Sequence, residues 1–361
     1  MSPFYFSPSG LPQIADFFAA FMIIAYFIKN NFKIYVEKNN PFNLLFFFVF
    51  WTLLVNLLWT LKLGNTSIVI YSIYYLYNCL FIYILYLLTK KNIDVFSIIY
   101  KSVSFTLILQ FLLSFLVVDF TGFRQNIFFN NPNQLGYFGL CSLTILLYLS
   151  EYYKMNKFLF TISLLSGIYI IAISLSNAAM LSAILLLIIH FFRYIKKALK
   201  YLSFFILVFL VIMLFIPEDS LINTVTNNVY LRITGIPNEP DASLAARGYD
   251  RIINHPEYWF VGAGEGIYYR FDSLINGEMH SSWGTIFFGY GIVGMFIFLL
   301  FLINVFKYKK NFFYFIPVFF YGLTHQGLRS TYLWLIFLIF ITFKEIKFDR
   351  KNVFLETNQL L

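Results

Sequence analysis

Charge is scarce in this chain. Only 12% of its 361 residues are Asp, Glu, Lys or Arg, whereas 60% are hydrophobic and 22% are aromatic. A soluble domain needs a polar surface, and a chain with so few charged residues does not have enough of them to cover one. The composition therefore excludes an ordinary soluble protein and indicates a chain that resides in a bilayer.

Cysteine and histidine are also rare. The two cysteines, Cys79 and Cys141, both lie in apolar runs, which excludes a disulfide-stapled fold. Four histidines without ligand-like spacing, and without a cysteine partner, argue against a metal site. We therefore expect neither a bound metal nor a cofactor.

Long apolar segments occur along most of the chain. Eleven of them approach the roughly 20 residues that an α-helix needs to cross a bilayer, and their length favours helices over barrel strands of about ten residues. No basic residue precedes the first segment and no small-residue cleavage site follows it, so we predict a membrane helix there rather than a cleaved signal. We predict an all-α polytopic membrane protein that forms one domain over residues 1–361. The eleven segments are residues 12–28, 42–61, 68–89, 96–118, 133–150, 158–175, 178–194, 201–217, 283–306, 312–323 and 330–343.

The positive charge is divided unevenly between the breaks that separate these segments. A net charge of +9 would indicate nucleic acid in a soluble protein, but the cytoplasmic loops of membrane proteins collect Lys and Arg. If alternate breaks face opposite sides, one side holds 19 of the 26 basic residues. This predicts an outer N-terminus, a cytoplasmic C-terminus, a long outer loop over residues 218–282, and no nucleic-acid partner.

Arginine and lysine are distributed differently between the two predicted sides. A guanidinium group suits bidentate contacts to phosphate and carboxylate, so arginines that persist on the outer side are candidate anion ligands. The alternative is that each one pairs with an acid of the long loop, such as Asp250 or Glu278. The predicted outer side holds one lysine of eighteen but six arginines of eight, namely Arg124, Arg232, Arg247, Arg251, Arg270 and Arg329.

Three short outer segments carry polar motifs. FRQNIFFNNPNQLG places Arg124 and Asn133 around an Asn-Pro turn, where an amide is positioned to cap the following helix. SLSNAAM is a turn of small residues that permits close helix contact, and THQGLRS places His325 and Arg329 in the last outer turn. All three are predicted to lie on the same side as the long loop, whose length is typical of a functional segment.

The long loop contains the main candidate residues. SLAARGYDRIINH is predicted to form an amphipathic helix with Arg247 and Arg251 on one face, where the two side chains repel unless an anion lies beside them. Gly262 and Gly264 lack the strand that precedes a nucleotide-binding fingerprint, but they allow the backbone to approach a substrate closely. His280 begins the ninth segment, where an imidazole suits a general base; the alternative is a helix-capping role.

Together these motifs resemble the outer loops of the O-antigen polymerase and O-antigen ligase superfamily. The resemblance lies in NNPNQLG, SLSNAAM, the spacing of ten residues between Arg251 and Gly262, and HSSWGTIFFGYGIVG, in the family's order over residues 124–294. Members often carry an arginine where this chain has Asn177, so no role is carried over to that position. Many members have twelve or more spans, which makes twelve the alternative to eleven here.

The resemblance implies a glycosyltransferase in the bacterial inner membrane, with a fold similar to that of the glycosyltransferase C class. Such an enzyme polymerises oligosaccharide repeats of an O-antigen or a capsule-like glycan at the outer face, with inversion. Donor and acceptor are polyprenyl-diphosphate-linked oligosaccharides, and the implied partners are membrane lipids and a chain-length regulator protein. The arginines would stabilise charge that develops on the diphosphate, and a base would activate the acceptor hydroxyl. The expected catalytic residues are His280, Arg247 and Arg251, and the expected substrate-binding residues are Arg124, Asn133, Arg270, Gly262, Gly264 and Arg329.

Two other functions remain open at this point. A ligase of the same superfamily would transfer the glycan to lipid A core, and nothing local in the sequence separates it cleanly from a polymerase. A transporter or flippase for lipid-linked glycans would place charge within the spans and would show inverted repeats. The charge here is concentrated outside the spans and no repeat is visible, which favours the enzyme.

Overall fold

The computed structural model describes a helical bundle, and every regular element in the described ranges is helical. These ranges are residues 13–31, 33, 38, 40–91, 94–117, 124–153, 156–192, 227–231, 234, 243–307 and 311–342. The helices that build the bundle are α1 (Ile14–Lys29), α2 (Pro41–Leu63), α3 (Ser67–Lys90), α4 (Val95–Val117), α5 (Pro132–Ser150), α6 (Lys157–Ser174), α7 (Asn177–Phe192), α8 (Asp250–Asn254), α9 (Ser282–Phe306), α10 (Ile316–Gly322) and α11 (Thr331–Thr342).

Ten of the eleven predicted apolar segments coincide with these helices, and residues 201–217 lie outside the described part. Five helices are long and apolar enough to cross a membrane: α2, α3, α4, α6 and α9. The helices α7 and α11, and the short Phe312–Phe315 turn that continues into α10, are apolar but shorter. The all-helical class is therefore established together with five candidate spans, whereas the count of eleven or twelve stays a prediction.

The helices alternate in direction between two ends of the bundle. At one end, here called the site end, residues 64–66, 124–131, 175–176, 243–281 and 323–330 connect the helices. Backbone hydrogen bonds hold these connections together, from Gln125 to Ile173 at 3.1 Å and from Ser282 to His325 at 3.1 Å. The predicted outer motifs therefore share one end, and which side of a membrane this end faces stays a prediction.

Helix α5 lies at the centre of the bundle, where all residues from 135 to 149 are buried. It begins at an Asn-Pro turn, as the sequence predicts: the Asn131 side chain accepts a hydrogen bond from the Gln134 amide at 2.9 Å. Glycines allow close packing on its neighbours, since a Cβ on Gly139 would overlap Ile171 and a Cβ on Gly136 would overlap Ser174 and Ala179. A buried, rigid α5 thus fixes the first residues of the helix at the site end.

Residues 243–255 do not form the single amphipathic helix that the sequence predicts. They form a 3-10 turn, Ala245–Arg247, and the five-residue α8, with Gly248 between them at φ +80°. A left-handed residue ends one helical turn before the next begins. Arg247 and Arg251 therefore point to different partners instead of sharing one face.

Helix α9 is broken at Gly291, which has φ +67° and ψ −174°. The segment Trp259–Gly264 lies against this break, and its backbone pairs with the exposed helix groups. The Ala263 amide donates to Phe288 and the Gly264 amide donates to Gly289, both at 2.8 Å. The described part of the long loop thus folds back into the bundle instead of extending away from it.

Candidate functional site

A cavity of about 520 Å³ opens at the site end of the bundle. Its walls come from α1, α3, the first turns of α5, and the 323–330 turn, with residues 278 and 280 of the long loop closing one side. These elements are remote in sequence, so the cavity exists only in the folded bundle. Three of the predicted site residues line it, namely Asn133, His280 and Arg329.

Two histidines line this cavity, His280 and His325. His280 is exposed and is held at the rim by its backbone amide, which donates to the Arg247 carbonyl at 3.0 Å. The N-cap of α9 is Ser281, whose hydroxyl accepts from the Gly284 amide at 2.9 Å. The His280 side chain is therefore not the helix cap and remains available to a ligand.

His325 is more enclosed than His280. Its ring stacks on Tyr321 at a centroid distance of 4.8 Å, and its Nδ1 lies 3.0 Å from the Thr324 hydroxyl. Burial and the neighbouring Arg247, His280 and Arg124 lower the pKa of His325 to about 3. At neutral pH this imidazole is uncharged, because a further positive charge beside these arginines is unfavourable.

Arg329 forms one polar wall of the cavity. It pairs with Glu278, and its guanidinium group lies 5.2 Å from the centre of the Tyr71 ring. Burial by itself lowers the pKa of Arg329, but Glu278 and Glu265 outweigh it and raise the pKa above its ordinary value. Arg329 is therefore a permanent cation in the wall of the cavity.

Two further predicted arginines stand just behind the cavity wall. Arg247 donates from Nη1 to the Thr324 carbonyl at 2.7 Å, and Arg124 donates from Nη2 to the Asn133 side chain at 2.8 Å. Both arginines repel protonation of His325. Their charge thus reaches the cavity, although neither side chain lines it.

Arg251 and Arg270 lie away from this cavity. The Arg251 side chain is 0% exposed and donates to the carbonyls of Ile275 and Gly277. Arg270 donates to the carbonyls of Ala263 and Gly264 and stacks over Trp59. In this structure both arginines hold the loop together through backbone carbonyls.

Gly262 and Gly264 also lie outside the cavity, where their backbone approaches protein rather than open space. A Cβ on Gly262 would overlap the backbone of Gly289 and Tyr290, and a Cβ on Gly264 would press on Asn56 and Trp59. The backbone at both glycines therefore packs against α9 and α2, whereas the close approach to a substrate stays a prediction.

Glu265 is a buried carboxylate that is not among the site residues predicted from the sequence. It is 1% exposed, and one carboxyl oxygen accepts from the hydroxyls of Tyr75 and Tyr290 while its backbone amide donates to Asn56 at 3.0 Å. The only sequence signal is that it is the one charged residue in the apolar and glycine-rich run WFVGAGEGI.

The opposite part of the cavity is apolar. Phe18 and Met22 of α1 and Phe81 of α3 line it, and Phe18 and Met22 are themselves largely exposed on the outside of the bundle. Asp16 of α1 lies near the polar part and accepts from the Tyr77 hydroxyl at 3.0 Å. The lining of the cavity thus combines cationic and imidazole groups with apolar side chains of α1 and α3.

These features define the class of the molecule, a multi-pass helical membrane protein with an amphiphilic cavity at one end of the bundle. Its particular identity is not supplied by comparison, because no protein-family model, curated protein or solved structure matches the chain. Among the described residues, no group of three or more His, Cys, Asp or Glu side chains is arranged to hold a metal ion.

Proposed function

We propose that this protein polymerises lipid-linked oligosaccharide repeats by glycosyl transfer from a polyprenyl diphosphate at the outer face of the plasma membrane. The observation that carries the proposal is the cavity, in which His280, His325 and Arg329 face an apolar wall of α1 and α3. A substrate with an anionic diphosphate, a polar glycan and a hydrocarbon tail matches that distribution of groups. The resemblance of the outer motifs to the O-antigen polymerase superfamily supports the same reaction.

Arg329 is the residue proposed to contact the diphosphate. It lines the cavity and carries a permanent charge, while Arg247 and Arg124 add positive potential from behind the wall. The Glu278 carboxylate pairs with Arg329 in this structure, so a bound diphosphate would replace Glu278 as the partner of Arg329. Cations aimed at the leaving group stabilise the charge that develops there in the transition state.

His280 is the proposed base or orienting group for the acceptor. The acceptor hydroxyl oxygen attacks the anomeric carbon, the bond from that carbon to the diphosphate oxygen breaks, and the hydroxyl proton passes to the imidazole. The lipid diphosphate leaves with the bonding electron pair. His325 is uncharged at neutral pH, because its pKa is lowered to about 3, and it offers a ring nitrogen to a substrate hydroxyl.

Arg251 and Arg270 are expected in this mechanism to lie away from the reacting atoms. Arg251 is fully buried and donates to backbone carbonyls, so in this arrangement a diphosphate does not reach it. Both residues are assigned a positioning role. Arg251 holds residues 275–277, which precede Glu278 and His280, and Arg270 holds residues 263–264.

Purified protein in lipid nanodiscs, supplied with a polyprenyl-diphosphate oligosaccharide, tests this function. Polymer and free polyprenyl diphosphate should form together, and Arg329→Ala should slow both by about 100-fold, the usual effect of losing one group that stabilises developing charge. The matched control is Lys62→Ala, which removes a cation at the same end that stacks on Trp59 instead of lining the cavity. Equal loss in both variants, or no polymer from the wild-type protein, contradicts the proposal.

The same assay separates the alternatives by acceptor. A ligase would transfer the glycan to lipid A core and would leave lipid-linked repeats unextended. A transporter would move the labelled lipid across a proteoliposome membrane without releasing free polyprenyl diphosphate. Either result would replace the polymerase proposal.

A further inference from the structure

The segment Trp259–Gly264 lies beside the break in α9 rather than above the helices. Ile292 donates its amide to the Trp259 carbonyl at 2.6 Å, and Val293 donates to the Phe260 carbonyl at 3.5 Å. Ile292 and Val293 come ten and eleven residues after the start of α9 at Ser282, and Phe288 and Gly289, the partners of Ala263 and Gly264, come six and seven residues after it. At 1.5 Å per residue, this places Trp259 and Phe260 about 15 Å, and Ala263 and Gly264 about 10 Å, below the end of the helix.

That depth lies inside the hydrocarbon layer for any placement of α9 that spans the bilayer. A helix of 25 residues is about 37 Å long, whereas the hydrocarbon layer is about 30 Å thick. Even if the whole excess projects at the site end, Gly291 remains about 6 Å below the hydrocarbon surface. The contacts with α2 agree, since Trp59 donates to the Gly262 carbonyl at 3.0 Å and Asn56 accepts from the Glu265 amide.

The backbone amides of residues 262–265 are satisfied as a bilayer requires. Irregular backbone occurs at membrane depth only where protein groups satisfy its N–H and C=O groups. Here the amides of residues 262–265 donate to Tyr258, to Phe288 and Gly289 of the broken helix, and to Asn56. The Arg270 side chain covers the carbonyls of Ala263 and Gly264.

The outer face of the segment is apolar and exposed. Trp259, Phe260 and Val261 are 42%, 69% and 40% exposed. Next to them, α9 presents an exposed stripe that contains Ile292 and Phe296. A stripe of this kind on a spanning helix contacts lipid, and the three loop residues continue it.

We infer that Trp259–Gly264 is a re-entrant segment whose Trp259, Phe260 and Val261 side chains contact the acyl chains of the bilayer. This inference is independent of the proposed reaction. It divides the long loop into a membrane-embedded part and a water-exposed part, which contains the exposed residues Asn276 and Gly277.

Single cysteines test the inference in a background in which Cys79 and Cys141 are replaced by alanine. Phe260→Cys and Asn276→Cys are compared in unsealed membranes, so that the result does not depend on which side faces out. A charged maleimide should label position 260 at least about tenfold more slowly than position 276, because a charged reagent does not enter the hydrocarbon layer. Both positions should label equally after denaturation in SDS.

A nitroxide at each position gives a second readout by electron paramagnetic resonance. The label at 260 should collide more with dissolved oxygen than with a water-soluble nickel chelate, and the label at 276 should show the reverse. Val261→Cys provides a second embedded position if Phe260→Cys does not fold. Water-like accessibility at 260 or 261 overturns the inference, whether or not the protein has transferase activity.

Discussion

The backbone amide of His280 donates to the carbonyl of Arg247 at 3.0 Å. Two residues 33 positions apart in the sequence are thereby joined at the rim of one cavity. The bond orients His280 without using its side chain, and Arg247 is anchored in turn by the Thr324 carbonyl. A change in either anchor would therefore move the imidazole relative to His325 and Arg329.

Replacing His280 should stop transfer while leaving the fold intact. The side chain is exposed and is not the cap of α9, so His280→Gln should keep the melting temperature within about 2 °C of wild type, as surface changes usually do. Loss of a general base costs about 100-fold or more in kcat. The measurement is the initial rate of polymer formation in nanodiscs.

His255→Gln is the matched control for that substitution, because His255 lies at the same end, outside the cavity, and contacts Glu257. It should retain most of the activity. A His280→Gln protein with the kcat of wild type would remove His280 from the mechanism.

Arg251→Ala should lower stability instead of acting on the chemistry. Its fully buried side chain donates to two backbone carbonyls and packs against the rings of Tyr268 and Phe271. Truncation leaves those carbonyls without a donor and opens a void, which together cost about 3 kcal/mol. Thermal unfolding in detergent measures this loss. An Arg251→Ala protein as stable as wild type, but inactive, would return Arg251 to the reaction site.

Gly262→Ala and Gly291→Ala should each disrupt the break in α9. Both glycines have φ values in the left-handed region, +101° and +67°, and a Cβ on either one meets backbone rather than a movable side chain. Strain of this kind costs about 1–3 kcal/mol before the clash is added. Loss of folded yield and a lower melting temperature are the expected results.

Gly277→Ala is the comparison for those two variants, since a Cβ there has nothing within 4 Å. It should express and melt like wild type. If Gly291→Ala behaves like Gly277→Ala, the loop does not dock at the break as described.

His325 should make the folded protein sensitive to acid. Its pKa falls to about 3 in the folded state, from about 6.5 in an unfolded chain. The unfolded state therefore binds the proton first, and stability is lost as the pH drops from about 6.5 towards 3. In His325→Gln this loss should be smaller.

Melting temperatures of both proteins at pH 7.5, 6.0 and 5.0 provide the measurement. The difference between wild type and variant isolates His325 from Glu265 and the other acids, which titrate in both proteins. Parallel curves for the two proteins would show that His325 is not held neutral by Arg247 and its neighbours.

Several local features of this protein follow from the sequence alone. Apolar runs of helical length determine the helices, because a segment inside a bilayer must satisfy its backbone N–H and C=O groups by its own hydrogen bonds. The Asn131-Pro132 pair marks the start of α5, and the polar motifs select Asn133, His280 and Arg329, all of which line the cavity. These are short-range signals, and each is readable within about ten residues.

The separation of the arginines was decided by tertiary structure. Gly248 turns Arg247 towards the cavity side and Arg251 into the loop interior, although the two residues share one face in an ideal helix. The presence of His280 and His325 in one cavity and the burial of Glu265 between Tyr75 and Tyr290 likewise need elements that are distant in the sequence. The backbone groups freed by the break in α9 need hydrogen-bond partners. The Trp259–Gly264 segment supplies them, although it belongs to a loop that the sequence predicts to lie outside the spans. Sequence thus determined which groups are present at the site end, and long-range packing decided which of them line the cavity.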